Sequence, residues 1–582
     1  MLRRELLLSV LLVVPVAAFS AQAPSDASTR LARIADQYWQ HQLQTQPYYK
    51  LQRGETINNL PNISERRAKA NGEFAGRLLH ELAAVKPGDL THQEWLTLEI
   101  LRWRVRQETE WPKYYWLIFP ISPSTSEISI MERIFTEHPF RNQADLDHYL
   151  RLLKKCPDFF RKTHSILKAQ AQRGIVYPKD GLPDAIEFVA SYLHDREKSV
   201  FFVSGERLKA LAPALILPFQ QKIDEIIHAQ INPALQALLD YMKGEYSRKA
   251  PNAVGLGQYP NGKDYYRFLV RFATTLDISP EEVHAIGLKA VEQSEERMAE
   301  LRRSIGFSGT RQEFNQYIKT DPRFFSKSPE EFQARLNFYL HRIEPLIPKY
   351  FSKVPRAPYE IRRLDPRLEQ TQALGHYQNP SASQPAGIYY YNGATATHTN
   401  LLFAGHLVLH ELIPGHHFQM SLQFENTHLP EFRRTVGEVA FSEGWADYSA
   451  WLGQEMGIYE NAYDLYGMMA TDMRKCVRLV VDTGMNYMGW SRSKAIAYMR
   501  EHTSDTDSYI ESESLRLGVD FPAQGLAYKI GSREFIELRE KTQRELGNKF
   551  DIRQFHACVL ENGSMPLDVL AKQVEWCVKN SN

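Results

Sequence analysis

Histidine is concentrated in one stretch of this sequence, in a pattern that suggests a metal site. Of the 19 histidines, seven lie within positions 376–428. They are His376, His398, His406, His410, His416, His417 and His428. A hydrolytic zinc site needs two imidazoles about 2.0–2.1 Å from the ion, a third ligand, and a carboxylate that takes a proton from water. The run His410-Glu411-Leu412-Ile413-Pro414-Gly415-His416-His417 contains these residue types, with Glu411 as the expected general base.

The usual zinc motif, His-Glu-x-x-His, places both histidines on one face of a helix, but here the second histidine position is Pro414. On a regular helix, His416 would lie about 240° around the helix axis from His410, and therefore on a different face. Pro414 lacks the N–H that would bond to the His410 carbonyl, and Gly415 tolerates unusual backbone angles. We therefore predict a helix break between Ile413 and His416, which brings His410 and His416 to one zinc ion.

Two neighbouring histidines leave alternatives open. His417 is a reserve ligand, or it supports the ligands without touching the ion. His406 lies one turn before His410 on the same helix face, so these two residues are an alternative pair of ligands.

The third ligand is expected from a later helix. Glu443 is the first candidate for this ligand, and Glu438 is the second. Asp447 lies one turn beyond Glu443 and is expected to accept a hydrogen bond from a ligand imidazole, as carboxylates around zinc sites do. The expected stoichiometry is one zinc ion per chain.

Other residues are candidates for contacts with the substrate. An oxyanion needs hydrogen-bond donors besides the metal, and Tyr528 is the first choice and Asn486 the second. Arg478 and Arg533 are candidates to bind a substrate carboxylate, because a guanidinium can bind it through two hydrogen bonds. Tyr390 lies in a predicted strand that could bind a peptide backbone if it is an edge strand. Each of these residues also has a purely structural interpretation, as a core tyrosine, a salt bridge or part of a small sheet.

These residues must be positioned by a mostly helical chain. Apolar residues recur at helical spacing in 144–167, 206–243, 280–304, 330–350, 401–424, 435–456 and 463–481. Thr399 or Asn400 is the expected N-cap of the motif helix. The clearest strand is 387–391, preceded by an expected long loop over 351–385.

We therefore predict a mainly α, large two-lobed fold with a deep cleft and a small β-sheet. The N-terminal helical lobe is expected at 24–350 and the catalytic, zinc-binding lobe at 351–582, within a single unit. Neither a repeat nor a low-complexity tract divides the chain. The elements that would carry the metal ligands all lie in the second lobe.

Composition excludes several classes of function. The chain has 582 residues, 70 Lys and Arg against 69 Asp and Glu, and a net charge of +1. Such a neutral balance gives no electrostatic reason to expect nucleic acid or an anionic membrane as partner. The four cysteines include no Cys-x-x-Cys pair, which excludes a cysteine zinc ribbon.

The first 23 residues have the order of a secretory signal peptide: basic residues, an apolar run and small residues. The mature protein is therefore expected to be exported, to the periplasm if the source is a Gram-negative bacterium, with no membrane contact after cleavage. No cysteine lies near the junction, so a lipid anchor is not expected. Export permits disulfides. Cys558 and Cys577 could form one, or they could be buried as apolar residues.

Several segments resemble a bacterial family known as domain of unknown function 885. The run at 410–417 and the Glu-Gly-Trp-Ala segment at 443–446 match its central motifs. Further matching segments lie at 260–266, 385–392, 478–484, 522–531 and 562–567, so the resemblance covers nearly the whole mature chain.

The resemblance implies a fold similar to the mostly helical gluzincin peptidases, such as thermostable carboxypeptidase Taq and angiotensin-converting enzyme. It also implies zinc-dependent peptidase activity. One position departs from the family pattern, because Asn486 stands where the family usually has histidine. If that histidine stabilises an oxyanion, Asn486 would do so more weakly, or the activity would be altered.

The leading interpretation is an exported zinc metallopeptidase, similar to carboxypeptidases or oligopeptidases, that hydrolyses short peptides. One alternative is a zinc amidase that acts on a non-peptide or cell-wall amide. Another is an inactive, peptide-binding relative. The presence of Glu411 argues against an inactive protein, because a binding protein needs no general base.

Overall fold

Helices dominate the structure, which confirms the predicted mainly α class. The computed structural model describes residues 25–195, 198–366, 369, 375–380 and 384–580, and 70% of it is helical. The predicted signal peptide lies outside these residues. Buried apolar side chains from Leu31 to Val574 form one continuous core. The lobe boundary at residue 350 and the deep cleft stay predictions. Among the described helices, none has both the length and the apolar character needed to cross a membrane.

The helices before the sheet build the first part of the core. They are α1 (Asp26–Thr45), α2 (Pro47–Gln52), α3 (Glu65–Ala83), α4 (His92–Glu110), α5 (Glu127–Thr136), α6 (Gln143–Leu153), α7 (Cys156–Gln172), α8 (Leu182–Ala190), α9 (Pro213–Ile226), α10 (Asn232–Tyr241), α11 (Gly262–Thr274), α12 (Pro280–Ser304), α13 (Arg311–Thr320), α14 (Pro329–Ile343) and α15 (Ile347–Tyr350). The stretch predicted at 280–304 matches α12. The stretch at 144–167 is divided between α6 and α7, because Pro157 lacks an N–H and therefore favours the first turn of a new helix.

A three-stranded sheet precedes the motif helix. Its strands are β1 (Tyr359–Arg363), β2 (Gly375–Gln378) and β3 (Gly387–Tyr391), in the order β1-β3-β2. β3 pairs in parallel with β1 and antiparallel with β2, with Tyr359 opposite Gly387 and Gly375 opposite Tyr391.

The sheet corrects two predictions. The loop expected at 351–385 contains β1 and β2, which are short and partly exposed edge strands without an alternating apolar pattern. The strand predicted at 387–391 is present as β3, but it is central and both of its edges are already paired. The prediction that this strand could bind a peptide as an edge strand is therefore wrong.

The helices after the sheet carry the candidate site. They are α16 (Gly393–Ala396), α17 (Ala404–Glu411), α18 (His416–Glu425), α19 (Glu431–Thr435), α20 (Val439–Glu455), α21 (Ala462–Asn486), α22 (Arg492–His502), α23 (Asp507–Leu515), α24 (Leu526–Leu546), α25 (Ile552–Leu560) and α26 (Leu567–Lys579). A single π-helical turn over Arg516–Asp520 follows α23.

Two glycines let α20 and α24 pack backbone against backbone. A Cβ on Gly444 would lie 2.5 Å from the Cα of Gly531, and a Cβ on Gly531 would lie 2.1 Å from the carbonyl oxygen of Ala440. No side chain fits between the helices at this crossing. Glu443 on α20 and Tyr528 on α24 lie beside it, so the close packing brings these two candidate residues near one another.

A disulfide joins the last two helices. Cys558 on α25 and Cys577 on α26 are bonded, which decides between the two alternatives that the sequence leaves open. Cys156 and Cys476 are buried free thiols. A disulfide is the form expected of these cysteines in an exported protein.

Replacing Cys558 and Cys577 together with serine is expected to lower the free energy of unfolding by about 3 kcal/mol, because the unfolded chain regains the entropy of the closed loop. The two cysteines are 19 residues apart in sequence. Urea denaturation with and without a reductant measures the effect. The reductant should destabilise the wild type and leave the double variant unchanged; equal sensitivity of both proteins would contradict a stabilising bond.

Candidate metal centre

The helix that carries the histidine motif is interrupted where the sequence predicts. α17 ends before Leu412, and α18 begins at His416. The chain between them turns so tightly that a Cβ on Gly415 would lie 1.9 Å from the carbonyl oxygen of His410. Only glycine fits at this position, and His416 is therefore no longer on the helix that holds His410.

Hydrogen bonds hold both ends of the motif segment. The predicted N-cap Asn400 accepts a bond of 3.0 Å from the backbone N–H of Leu402. At the break, the indole Nε1 of the fully buried Trp445 donates a bond of 2.7 Å to the carbonyl oxygen of Pro414. α20, which carries Trp445, thus supports the interrupted segment directly.

The break brings the three predicted ligand groups together. Oε2 of Glu443 lies 3.3 Å from Nε2 of His416 and 3.6 Å from Nε2 of His410. The three potential ligand atoms all lie within 4.8 Å of one another. The two imidazole rings are 4.7 Å apart at an angle of 82°, so they approach one point from different directions.

The spacing and burial of these atoms suit a divalent metal ion. Two ligands at zinc bond lengths and a tetrahedral angle are about 3.4 Å apart. Oε2 of Glu443 is buried and makes no well-aligned hydrogen bond within the described part of the chain, although both imidazoles lie within 3.6 Å of it. A buried carboxylate needs a cation beside it, which here is either a protonated imidazole or a metal ion. The donor set of two imidazoles and one carboxylate therefore fits zinc.

Electrostatics keep the carboxylate of this group ionised. Burial opposes the charge of Glu443, but His416 and His410 hold the pKa of this carboxyl far below its usual value. Burial also disfavours a charged His410, yet its contacts with Asp447 and Glu443 raise the pKa of this imidazole to about 9. A metal ion that binds here would replace that proton.

Asp447 lies where the sequence predicts. Its Oδ1 is 2.9 Å from Nδ1 of His410, so Nε2 of the same ring is the atom that faces Glu443. The buried Lys475 of α21 donates a hydrogen bond to the same carboxylate. Sequence reasoning missed Lys475, because a lysine carries no metal-ligand signal and is distant in sequence.

The alternative ligand pair, His406 and His410, is disfavoured by Lys475. His406, His410 and Asp447 also come within 4.8 Å of one another. However, the ammonium Nζ of Lys475 lies 3.1 Å from Nε2 of His406 and satisfies Asp447 as well. Burial, followed by the charge of Lys475, lowers the pKa of His406 far below its usual value, so this imidazole is neutral and its Nε2 accepts a hydrogen bond from Lys475 instead of facing a metal ion.

Two further ligand candidates are engaged elsewhere. Glu438 is buried and forms an ion pair of 2.8 Å with Arg104. His417 faces the sheet, where Nδ1 lies 2.9 Å from the hydroxyl of Tyr377 and Nε2 lies 3.1 Å from the carbonyl oxygen of Ala357. Both nitrogens of His417 therefore have partners, and this residue anchors the sheet to α18.

Tyr528 lies beside the candidate ligands. Its ring centroid is 6.3 Å from that of His410, and the two rings are nearly parallel. Burial, followed by the negative charge of Glu443, raises the pKa of Tyr528. The phenol therefore stays protonated and can donate a hydrogen bond at neutral pH.

Asn486, unlike Tyr528, bonds to the backbone of other segments. Its Nδ2 donates to the carbonyl oxygens of Asp482 and Leu517, at 3.0 and 2.9 Å, and its Oδ1 accepts from the N–H of Leu256 at 3.1 Å. The side chain is fully buried. Its donors are committed to these backbone groups, so Asn486 is not available to an oxyanion.

Tyr390, the predicted substrate-binding residue of β3, and its neighbour Tyr389 lie on different faces of the sheet. Alternate residues of a strand point to opposite faces, so Tyr389 and Tyr390 of β3 diverge. Burial and the negative charge of Glu411 raise the pKa of Tyr389, whereas Tyr390 stacks on His376 at 5.5 Å. Tyr390 is therefore on the far face of the sheet, and Tyr389 is the residue that sequence reasoning missed.

The two predicted arginines differ in position. Arg478 is largely buried, forms a 2.7 Å ion pair with Glu513, and lies 5.0 Å from the ring centroid of Tyr528. Arg533 is 44% exposed and pairs with Glu537 one turn along α24. It is rotated about 140° from Tyr528 around that helix, so it does not belong to the site.

The arrangement defines a class: a mostly helical protein with two histidines and a glutamate that converge on one point, next to a second glutamate, Glu411. The chain belongs to the family of bacterial proteins of unknown function DUF885, whose model matches residues 47–574. No match was found among curated proteins.

Two solved structures are similar in fold. One is of a protein from Colwellia psychrerythraea that is inferred to be a lipoprotein; it is 23% identical, with a TM-score of 0.89, over 96% of this chain and 100% of that one. The other is of a protein of unknown function from Shewanella oneidensis, also inferred to be a lipoprotein. It is 17% identical, with a TM-score of 0.72, over 93% and 99% of the two chains. At these identities the likeness establishes the fold.

Replacing Gly415 with alanine is expected to weaken binding of a divalent metal and to lower the free energy of unfolding by about 1–3 kcal/mol, the usual cost of overpacking. The added methyl would collide with the His410 carbonyl and displace one of the two histidines. Metal titration and urea denaturation measure the two effects. Gly437→Ala is the matched control, because the nearest atom to its Cβ would be 3.6 Å away. Similar behaviour of the two variants would show that the tight turn is not needed.

Proposed function

We propose that this protein is an exported zinc metallopeptidase that hydrolyses short peptides. The observation that carries the proposal is that His410, His416 and Glu443 each place a potential ligand atom within 4.8 Å of the other two. Three protein ligands of this kind leave a fourth position open, which is the arrangement of catalytic rather than structural zinc sites. Zinc held by these residues would supply a Lewis acid that polarises the scissile carbonyl and activates water.

The chain's own residues supply the proton transfers. Glu411 follows His410 directly and is partly exposed, so its carboxylate can take a proton from the attacking water and pass it to the leaving nitrogen. The water's hydroxyl goes to the carbonyl carbon as the C–N bond breaks. Tyr528, kept protonated by burial, can donate a hydrogen bond to the negative charge that develops on the carbonyl oxygen.

Three features support an extracytoplasmic location. Residues 1–23 have the order of a signal peptide, the chain has a disulfide, and the two structures of similar fold are of proteins inferred to be lipoproteins. Disulfides persist in oxidising compartments such as the periplasm.

The purified mature protein is expected to bind about one zinc ion per chain, as a single three-ligand site requires. His410→Ala and Glu443→Ala should each abolish stoichiometric binding, because either change removes one of the ligands. Elemental analysis after dialysis measures the metal content. His428→Ala is the matched control, since His428 is exposed in the same histidine-rich stretch. Retention of stoichiometric zinc in both ligand variants would exclude this site.

Glu411→Gln is expected to retain zinc and fold while losing turnover by about 100- to 10,000-fold, the usual contribution of general acid–base catalysis. Glutamine is nearly isosteric with glutamate but cannot take the proton. Cleavage of a short-peptide library, read by mass spectrometry, measures the loss, and the exposed Glu431→Gln is the control. Near wild-type turnover of Glu411→Gln would assign Glu411 another role. A library of non-peptide amides, assayed in parallel, tests the amidase alternative.

A further inference from the structure

Two arginines share one glutamate beside Tyr528. Nε of Arg478 lies 2.7 Å from Oε1 of Glu513. Arg516, which begins the π-helical turn after α23, contacts the same carboxylate through Nε and Nη2 at 2.8 and 2.9 Å. Its Nη1 donates to Oε1 of Gln524 at 2.7 Å, and Nε2 of Gln524 lies 3.4 Å from the hydroxyl of Tyr528. We call Arg478 and Arg516 the arginine pair, and Glu513 their shared glutamate.

This group carries one positive charge in excess. Among the ion pairs of the described residues, Glu513 is the one carboxylate that contacts these two arginines, so within the group one guanidinium charge is not neutralised. The neighbouring cations add no further unpaired charge, because Arg474 is paired with Asp505 and Lys475 with Asp447. Two guanidinium groups that are held together on one carboxylate present a fixed positive charge, which favours an anionic ligand.

The arginine pair can reach a substrate. The side chains of Arg478 and Arg516 retain 12% and 25% of their exposure. Within the described residues, Nη1 of Arg478 donates no hydrogen bond, whereas Nε bonds to Glu513 and Nη2 donates to Tyr509. A planar guanidinium with a free edge is suited to bind a carboxylate.

The distance from the candidate metal ligands matches the end of a peptide. The guanidinium of Arg478 is 5.0 Å from the ring centroid of Tyr528, which is 6.3 Å from that of His410. An extended peptide spans about 3.3–3.6 Å per residue. A carboxylate one or two residues beyond the scissile bond can therefore contact the arginine pair while that bond lies at the metal centre.

We propose that Arg478 binds the C-terminal carboxylate of the substrate through Nη1, with the charge of Arg516 beside it, so that the protein cleaves peptides one or two residues from a free C-terminus. This inference rests on the proposed function. It assigns the substrate class as peptides with an unmodified C-terminal carboxylate, and it adds Arg516, which sequence reasoning missed because the pairing depends on the turn after α23.

The test compares short peptides that are identical except for a C-terminal carboxylate or carboxamide. The zinc-loaded wild type should cleave the acids with a kcat/KM about 10- to 100-fold higher than the amides, the range expected for hydrogen bonds to a charged group. Mass spectrometry should identify products that lack one or two C-terminal residues. N-terminal acetylation of the same peptides should change the rate little, because the recognised charge is at the other end.

Variants of the arginine pair separate recognition from folding. Arg478→Gln and Arg516→Gln should lower kcat/KM about 10- to 100-fold more for the acids than for the amides. A merely structural role would lower both rates together. Arg478 is the primary variant because its Nη1 is the donor without a partner among the described residues, whereas Arg516 also contacts Gln524. Arg533→Gln, on the exposed face of α24, is the control.

Binding provides a measurement that does not need turnover. Zinc-loaded Glu411→Gln should bind the acids about 10- to 100-fold more tightly than the amides in calorimetry. Equal rates and equal affinities for acids and amides would overturn the carboxylate site while leaving the peptidase proposal intact. If no peptide is cleaved although zinc is bound, the peptidase proposal fails, and the calorimetric comparison alone decides whether the carboxylate site exists.

Discussion

The contact between Gly415 and the carbonyl of His410 is the constraint on which the candidate site depends. A regular helix would carry His416 to the side opposite His410. The tight turn ends one helix and begins another, with no room for a side chain at position 415. Ending a helix leaves backbone groups without intrahelical partners. Here the backbone N–H of Leu412 still bonds to its own helix, and Trp445 satisfies the carbonyl of Pro414.

The turn alone does not complete the site, because the third ligand comes from α20. The same helix supplies Trp445 to the turn and Asp447 to the ring of His410, so one element positions the break, the carboxylate and the imidazole together. The close packing of α20 on α24 at Gly444 and Gly531 then brings Tyr528 beside the ring of His410. A shift of α20 would move all of these groups, and the extensive burial of this helix opposes such a shift.

Much of the fold class and of the ligand set could be predicted from the sequence. Helical periodicity and turn residues are local signals, and so is the conflict between Pro414 and the spacing of the histidines. What the sequence could not predict depends on contacts between distant segments. The edge strands β1 and β2 have no apolar alternation of their own, and the roles of Lys475, Tyr389 and Arg516 arise only when their elements pack together. The position of Asn486 in a motif predicts that it belongs to the site. In the structure its side chain instead bonds to the backbone of two other segments.

The charges of the buried polar groups are consistent with the proposal that the arginine pair binds the substrate. With zinc bound as proposed, its two positive charges are balanced by Glu443 and Glu411. Lys475 balances Asp447, and Asp505 balances Arg474. Burying a charge without a partner is expensive, so these groups are stable in pairs and add no net charge. Arg478 and Arg516 share a single glutamate, and the positive charge that remains is the one that a substrate carboxylate would neutralise.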